Sequence, residues 1–208
     1  MSLPRLPALT RENERLRTEL VQSHLEAAQL RETLRKAQQA EALSAVQPHA
    51  QGRMVGVLTR SMSPTQQTVL LDGGTQDGVA LESTIIDASG VVGRIVEVHP
   101  MTALAMLISD PNSRIAAMVE RSRETALLVG RGLGFCELIY LEADADVEAG
   151  DRVITAGLGG PLPKGLLLGT VGRIARDEQT GSATATMIPA SRLGRLEEVL
   201  CLDPERTR

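Results

Sequence analysis

The chain has 208 residues, 42% hydrophobic and 1% aromatic, with a formal net charge of −4. That length and apolar content suffice for one large or two small packed domains and exclude a disordered chain. With no net positive charge to attract phosphates and only two aromatics, Phe135 and Tyr140, to stack bases, the composition argues against a nucleic-acid partner.

The first predicted element is a helix. Residues 10–46 contain neither Pro nor Gly and are rich in Leu, Ala, Glu, Gln and Arg, all good helix formers. Pro7 suits a first turn, where its missing N–H would be unpaired anyway. Gln47-Pro48 marks the end, because a residue before Pro is pushed out of the helical region. The apolar spacing is close to 3.5. With Leu6 at heptad position a, the seam reads Leu6, Leu9, Asn13, Leu16, Leu20, Ser23, Ala27, Leu30, Leu34, Ala37, Glu41 and Ser44. This pattern predicts a coiled-coil stalk over 8–47 that pairs with a second copy, its seam fading after Ala37. Asn13 is the kind of polar seam residue that fixes register at a cost in stability. Glu32 and Lys36 are spaced for a helical ion pair. Val21, Leu25 and Ala28 widen the stripe, which leaves open a helix folded onto its own β-domain. A length of roughly 50 Å, too long for a small barrel, favours the stalk.

A linker, 48–52, follows, and then the period changes. Short runs of Val, Ile, Leu and Thr alternate with turn signals, the pattern of a sandwich or barrel. Strands are predicted at 54–60, 68–71, 83–87, 91–98, 103–108, 115–119, 126–129, 137–141, 152–155, 168–175, 183–188 and 198–202. This many strands suits two barrels of six, placed at 53–122 and 123–205. The charged run Glu120-Arg-Ser-Arg-Glu124 supplies the break, and strands are free to cross between the barrels. The predicted fold is mainly β: one long N-terminal helix, then two small six-stranded β-barrels. With so few aromatics, their cores must be built from Val, Ile, Leu, Met and Ala.

Paired barrels are also the architecture of chymotrypsin-like proteases, which would require a catalytic triad. The histidines are His24, His49 and His99, of which only His99 falls in the β region, and no serine stands in a Gly-Asp-Ser-Gly setting. Asp144, Asp146 and Glu148 alternate like a calcium loop, but Ala149 and Thr155 stand where that loop needs Gly and Glu. Gly130-Arg-Gly-Leu-Gly134 precedes a strand, not the helix a phosphate loop requires, and reads as a hairpin turn or barrel corner. Cys136 and Cys201 lie in apolar strands and read as buried free thiols. No run approaches the ~18 apolar residues of a membrane span, and Pro4 and Arg5 interrupt any signal-peptide core. No catalytic, metal or cofactor site is predicted.

Four glycine-punctuated motifs remain. Leu70-Leu-Asp-Gly-Gly-Thr-Gln-Asp-Gly-Val79, Gly90-Val-Val-Gly-Arg-Ile95, Gly150-Asp-Arg-Val-Ile-Thr-Ala-Gly157 and Pro163-Lys-Gly-Leu-Leu-Leu-Gly-Thr-Val171 occur in this order behind the helix. Together they resemble the cell shape-determining MreC family, the rod-complex scaffolds of bacteria. Ile95 replaces a Val, Ala156 a Ser and Leu162 a Phe of that pattern. The resemblance implies that Gly73, Gly78, Gly90, Gly93, Gly150, Gly157, Gly165 and Gly169 are structural glycines. It implies an extracytoplasmic portion of a membrane-anchored protein, the anchor itself lying outside this chain. It also implies self-association as a dimer or filament, and contacts with a class B penicillin-binding transpeptidase and with the membrane and cytoskeletal proteins of the rod complex. The expected function is a non-catalytic, dimerising scaffold for peptidoglycan-elongation enzymes that helps maintain rod shape. The alternatives are an adaptor of another envelope complex and an unusual two-barrel hydrolase.

Overall fold

The computed structural model describes residues 6–46, 52–158, 162–177, 179 and 181–202, which divide into a helical unit and a β unit. Positions 48–51 of the expected linker lie outside the described residues, as do the last three of the expected second barrel.

Helix α1 runs Leu6–Val46 without interruption. At 1.5 Å per residue its 41 residues extend about 60 Å. Exposed pairs brace it: Arg15 Nε donates to Glu19 Oε1 at 2.9 Å and Arg35 Nη2 to Glu32 Oε1 at 2.6 Å. Glu32 thus reaches Arg35; the expected partner Lys36 has a side chain outside the described residues. Such exposed pairs are worth only about 0.3–0.5 kcal/mol each, so the helix gains little from them.

All twelve predicted strands form. They are β1 Gly52–Met62, β2 Gln67–Asp72, β3 Thr84–Ile86, β4 Val91–Val98, β5 Ala103–Leu107 and β6 Arg114–Val119. Then come β7 Thr125–Gly132, β8 Phe135–Glu142, β9 Arg152–Thr155, β10 Leu167–Asp177, β11 Ser182–Pro189 and β12 Glu198–Leu202. They close into two barrels, β1-β12-β3-β4-β5-β2 and β10-β11-β8-β7-β6-β9.

The barrels do not divide the chain at Glu120–Glu124. That charged run is the β6–β7 hairpin turn, where Val119 N–H bonds to Glu124 O and Arg123 N–H to Val119 O. The chain leaves barrel one earlier, through Asp110-Pro-Asn, so β6 belongs to barrel two. It returns after β11, and β12 inserts between β1 and β3 with Gly52 opposite Leu202. The reason is closure. Without β12, β1 and β3 would each keep an unpaired edge, with its N–H and C=O groups open.

The cores are aliphatic, as the composition requires. Leu71, Ile85, Ile95 and Leu107 fill barrel one, and Leu128, Leu138 and Leu168 fill barrel two, all fully buried. Cys201 and Cys136, one in each barrel, are buried free thiols, and loss of solvent pushes each thiol up to about 12. Thiols held protonated at neutral pH are poor nucleophiles.

Two polar clamps sit at the crossovers between the barrels. At the first, Asp110, wholly buried, accepts the Gln67 N–H at 2.6 Å and the Asn112 N–H at 2.7 Å. At the second, Asp87 Oδ1 accepts the Ser191 hydroxyl at 2.7 Å and the N–H groups of Ser89 and Gly90 at 2.7 and 3.0 Å. Neither carboxylate is left with a bare buried charge, which is the condition for tolerating one there.

Candidate docking surface

The chain's two aromatics both lie on β8 and both face solvent, Phe135 at 68% exposure and Tyr140 at 76%. They arrive there differently. Cys136 and Leu138 point into the core, so simple alternation turns Phe135 and Glu137 outward. The same alternation would bury Tyr140. Instead the register slips: Leu138 pairs with Ala185 and Leu141 with Ala183, so Ile139 and Tyr140 share the place opposite Thr184. This bulge, with Tyr140 at φ 62°, returns Leu141 to the core and aims Tyr140 out. A positive φ at a bulky residue costs on the order of 1–3 kcal/mol, a strain that clusters at functional sites.

The β7–β8 hairpin closes on Leu133-Gly134, at φ 50° and 83°. Two successive positive φ values give the tight turn that matches the strands' twist. Leu133 holds that conformation with 60% of its surface exposed. On the neighbouring strand Met187 pairs with Cys136, so Ile188, also exposed, comes alongside Phe135. Barrel two therefore presents Leu133, Phe135, Ile188 and Tyr140 outward, flanked by the ion pair of Arg131 Nε with Glu137 Oε2 at 2.7 Å. Aromatic anchors with a charged border are the anatomy of a protein-docking face.

A second apolar surface lies on α1. The seam residues Leu16, Leu20, Leu30 and Leu34 are each more than half exposed, and Ala27 is partly so. The side chains of Leu6, Leu9, Asn13 and Ala37 lie outside the described residues. The eight motif glycines sit in barrel turns and strands. Gly73 and Gly78 flank the turn after β2, and Gly90 leads into β4 at the barrel junction, facing Leu167 O. Gly150 and Gly157 bracket β9, and Gly165 precedes β10. Gly93 and Gly169 lie inside β4 and β10, each against a carbonyl of the adjoining strand, Met106 O and Ile188 O respectively.

The remaining sequence candidates are dispersed. His99 is exposed in the β4–β5 turn, its N–H bonded to Thr102 O. Among the described residues no three His, Cys, Asp or Glu side chains are grouped to hold a metal. Asp146 instead pairs with Arg121, whose guanidinium also bridges to Asp151: Nη1 to Asp146 Oδ2 at 2.7 Å and Nε to Asp151 Oδ1 at 2.9 Å. Hydrogen bonds from Arg121 hold both carboxyls below their usual 3.8. A depressed folded pKa stabilises the fold above the unfolded value, and that contribution is lost as pH falls through the folded value. Arg121→Ala is therefore expected to lower the melting temperature at neutral pH, the gap to the parent closing as pH drops below about 4. Thermal melts of both proteins from pH 7 to pH 2 check this, and a gap independent of pH would rule the clamp out.

The family model described as Rod shape-determining protein MreC, barrel core, matches residues 57–203. The chain belongs to the MreC family. Its β unit is that family's barrel core, and the motif glycines described above fall within it. The cell shape-determining protein MreC of Cereibacter sphaeroides is 41% identical over 115 residues, which is 55% of this chain and 38% of that protein. The chain thus spans well under half of that relative's length. The crystal structure of MreC from Pseudomonas aeruginosa aligns with a TM-score of 0.70 at 31% identity, covering 73% of this chain and 98% of that one. A structure of the complex between penicillin-binding protein PBP2 and MreC from Helicobacter pylori aligns with a TM-score of 0.53 at 18% identity, covering 72% and 99%. At that identity it shares the fold alone.

Sequence reasoning named the aromatics but not the face they make. Their scarcity was the available signal: a chain with two aromatics and an aliphatic core has little reason to bury either. The bulge that aims Tyr140 outward leaves no residue pattern to find it by.

Proposed function

We propose that this chain is a non-catalytic, self-pairing scaffold of the bacterial cell envelope that organises peptidoglycan-elongation enzymes and so helps maintain rod shape. The partner of barrel two is a class B penicillin-binding transpeptidase, docked on the face of Phe135, Tyr140, Leu133 and Ile188. The chain stands on the extracytoplasmic side, where such a transpeptidase works, held by a membrane anchor in the longer protein. Membrane and cytoskeletal proteins of the rod complex are further partners. α1 pairs two copies through its leucine seam, and tethering both at a membrane would raise their effective concentration and strengthen the pair.

The observation that carries this reading is the placing of both aromatics in solvent on one strand of a barrel whose core buries no aromatic side chain. Aromatic anchors of this kind dominate docking energies, each costing about 2 kcal/mol or more when truncated. Phe135→Ser and Tyr140→Ser are expected to weaken binding to the transpeptidase's extracytoplasmic domain roughly thirtyfold each, leaving the melting temperature almost unchanged. Titration calorimetry measures the first and a thermal melt the second. Parent-like affinity in both variants would send the search for the docking face elsewhere.

A further inference from the structure

Gln67 is wholly buried at the start of β2, where barrel one meets the β7–β8 hairpin of barrel two. Its side-chain Oε1 accepts the Ser109 hydroxyl and, at 3.4 Å, the N–H of Gly134 at the hairpin tip. Ser109 in turn accepts the Gly132 N–H on its backbone carbonyl at 2.9 Å. Gly132 also packs on barrel one, since a Cβ there would stand 3.0 Å from Pro64 O in the β1–β2 turn. The two glycines that bracket Leu133 are thus both held from barrel one, and Phe135 follows immediately.

Gln67 is a costly way to fill this space. Its Nε2 is buried and finds no acceptor among the described residues, and an unsatisfied buried donor is a penalty that Leu or Met would avoid. What an aliphatic side chain cannot supply is the oxygen that Ser109 and Gly134 share. That oxygen fixes the turn whose Leu133 sits at φ 50°, a conformation that an unsupported leucine leaves readily.

We propose that Gln67 of barrel one is a positioning residue for the docking face of barrel two: through Ser109 and Gly134 it holds the hairpin tip so that Leu133 and Phe135 meet the transpeptidase preorganised. The inference rests on the docking reading above. Its consequence is that a buried residue on one barrel sets the affinity of a surface on the other. Holding a loop in its bound form raises affinity by removing the ordering cost from the binding step.

The test uses the full chain and the isolated extracytoplasmic domain of a class B penicillin-binding transpeptidase from the same organism. Gln67→Leu is expected to weaken binding about tenfold, the equivalent of one net hydrogen bond. Amide exchange at Gly132 and Gly134 should quicken by a similar factor. Ser109→Ala, a smaller change that keeps Gln67, should do the same in lesser degree and carries the test if Gln67→Leu does not fold. Ser191→Ala removes a junction hydrogen bond at the other clamp; it should lower the melting temperature while leaving both affinity and hairpin exchange unchanged. Parent-like affinity in Gln67→Leu or Ser109→Ala, while Phe135→Ser shows its roughly thirtyfold loss, overturns the inference and spares the docking face. Equal losses in Ser191→Ala also overturn it, since the effect would then be general to the junction. Binding untouched by Phe135→Ser overturns the docking face itself.

Discussion

Gly93→Ala is expected to cost the β unit about 3 kcal/mol of stability, from a total of about 5–15 kcal/mol for a domain of ordinary size. Gly93 pairs with Ile85 on one side and Leu107 on the other, so it has no free edge along which to shift. A Cβ built there stands 2.0 Å from Met106 O and 2.9 Å from Met106 C. Backbone, not a flexible side-chain end, blocks the space, and to make room β5 would have to leave its ladder with β4. Gly169 repeats the arrangement in barrel two, 2.1 Å from Ile188 O, and Gly169→Ala should behave alike. Gly194→Ala is the matched comparison: nothing lies within 4 Å of its added carbon, and it should stay within about 0.5 kcal/mol of the parent. Urea unfolding of the three variants measures the difference, which corresponds to roughly 10 °C in melting temperature for a unit of this size. Equal midpoints for Gly93→Ala and Gly194→Ala would show that close approach is not what selects glycine at these places.

A large cost at Gly93 would also explain why the glycine motifs are legible in the amino-acid sequence. A strand that must lie flush against its neighbour's backbone leaves glycine as the one residue that fits, so the constraint is written at a single position. The twelve strands are legible for a similar local reason: alternating Val, Ile and Leu runs end at Gly, Asp-Gly or Pro turns, and β4, β9 and β12 begin and end where that pattern places them.

Pairing over long distances is different. β12 fits between β1 and β3 because two edges need closing, and Gly52 meets Leu202 across most of the β unit. Nothing in Glu198 to Leu202 names its neighbours. The charged run at 120–124 misleads for the same reason. Charge marks solvent exposure, and a hairpin turn is as exposed as a domain boundary. The candidate docking face is the least legible part. Phe135 follows from alternation, but Tyr140 owes its direction to one inserted residue opposite Thr184, and a β8 without that bulge would bury it. The contacts of Gln67 with Ser109 and Gly134 join residues 42 and 67 positions apart, beyond the reach of any local pattern.

The seam of α1 gives the second large effect. Leu20→Glu combined with Leu30→Glu is expected to abolish self-association of the chain at micromolar concentration. Leu20 and Leu30 are 57% and 64% exposed in the single chain, so their replacement removes little packing from the protomer itself. Glutamate is also nearly as good a helix former as leucine, so the helical content should persist. The loss therefore falls on pairing. Two copies would bury four leucines at these positions, at about 1.5–3 kcal/mol each, and the variant replaces that gain with facing like charges. A loss of roughly 6 kcal/mol or more raises the dissociation constant at least ten-thousandfold. Sedimentation equilibrium over a range of concentrations reads this directly, with circular dichroism confirming that the helix survives. The β unit should melt at the parent's temperature in both proteins. A parent chain that sediments as a monomer throughout would remove the seam from the scaffold reading while leaving the barrel-two face standing, because that face rests on β8 and its neighbours and needs no second copy.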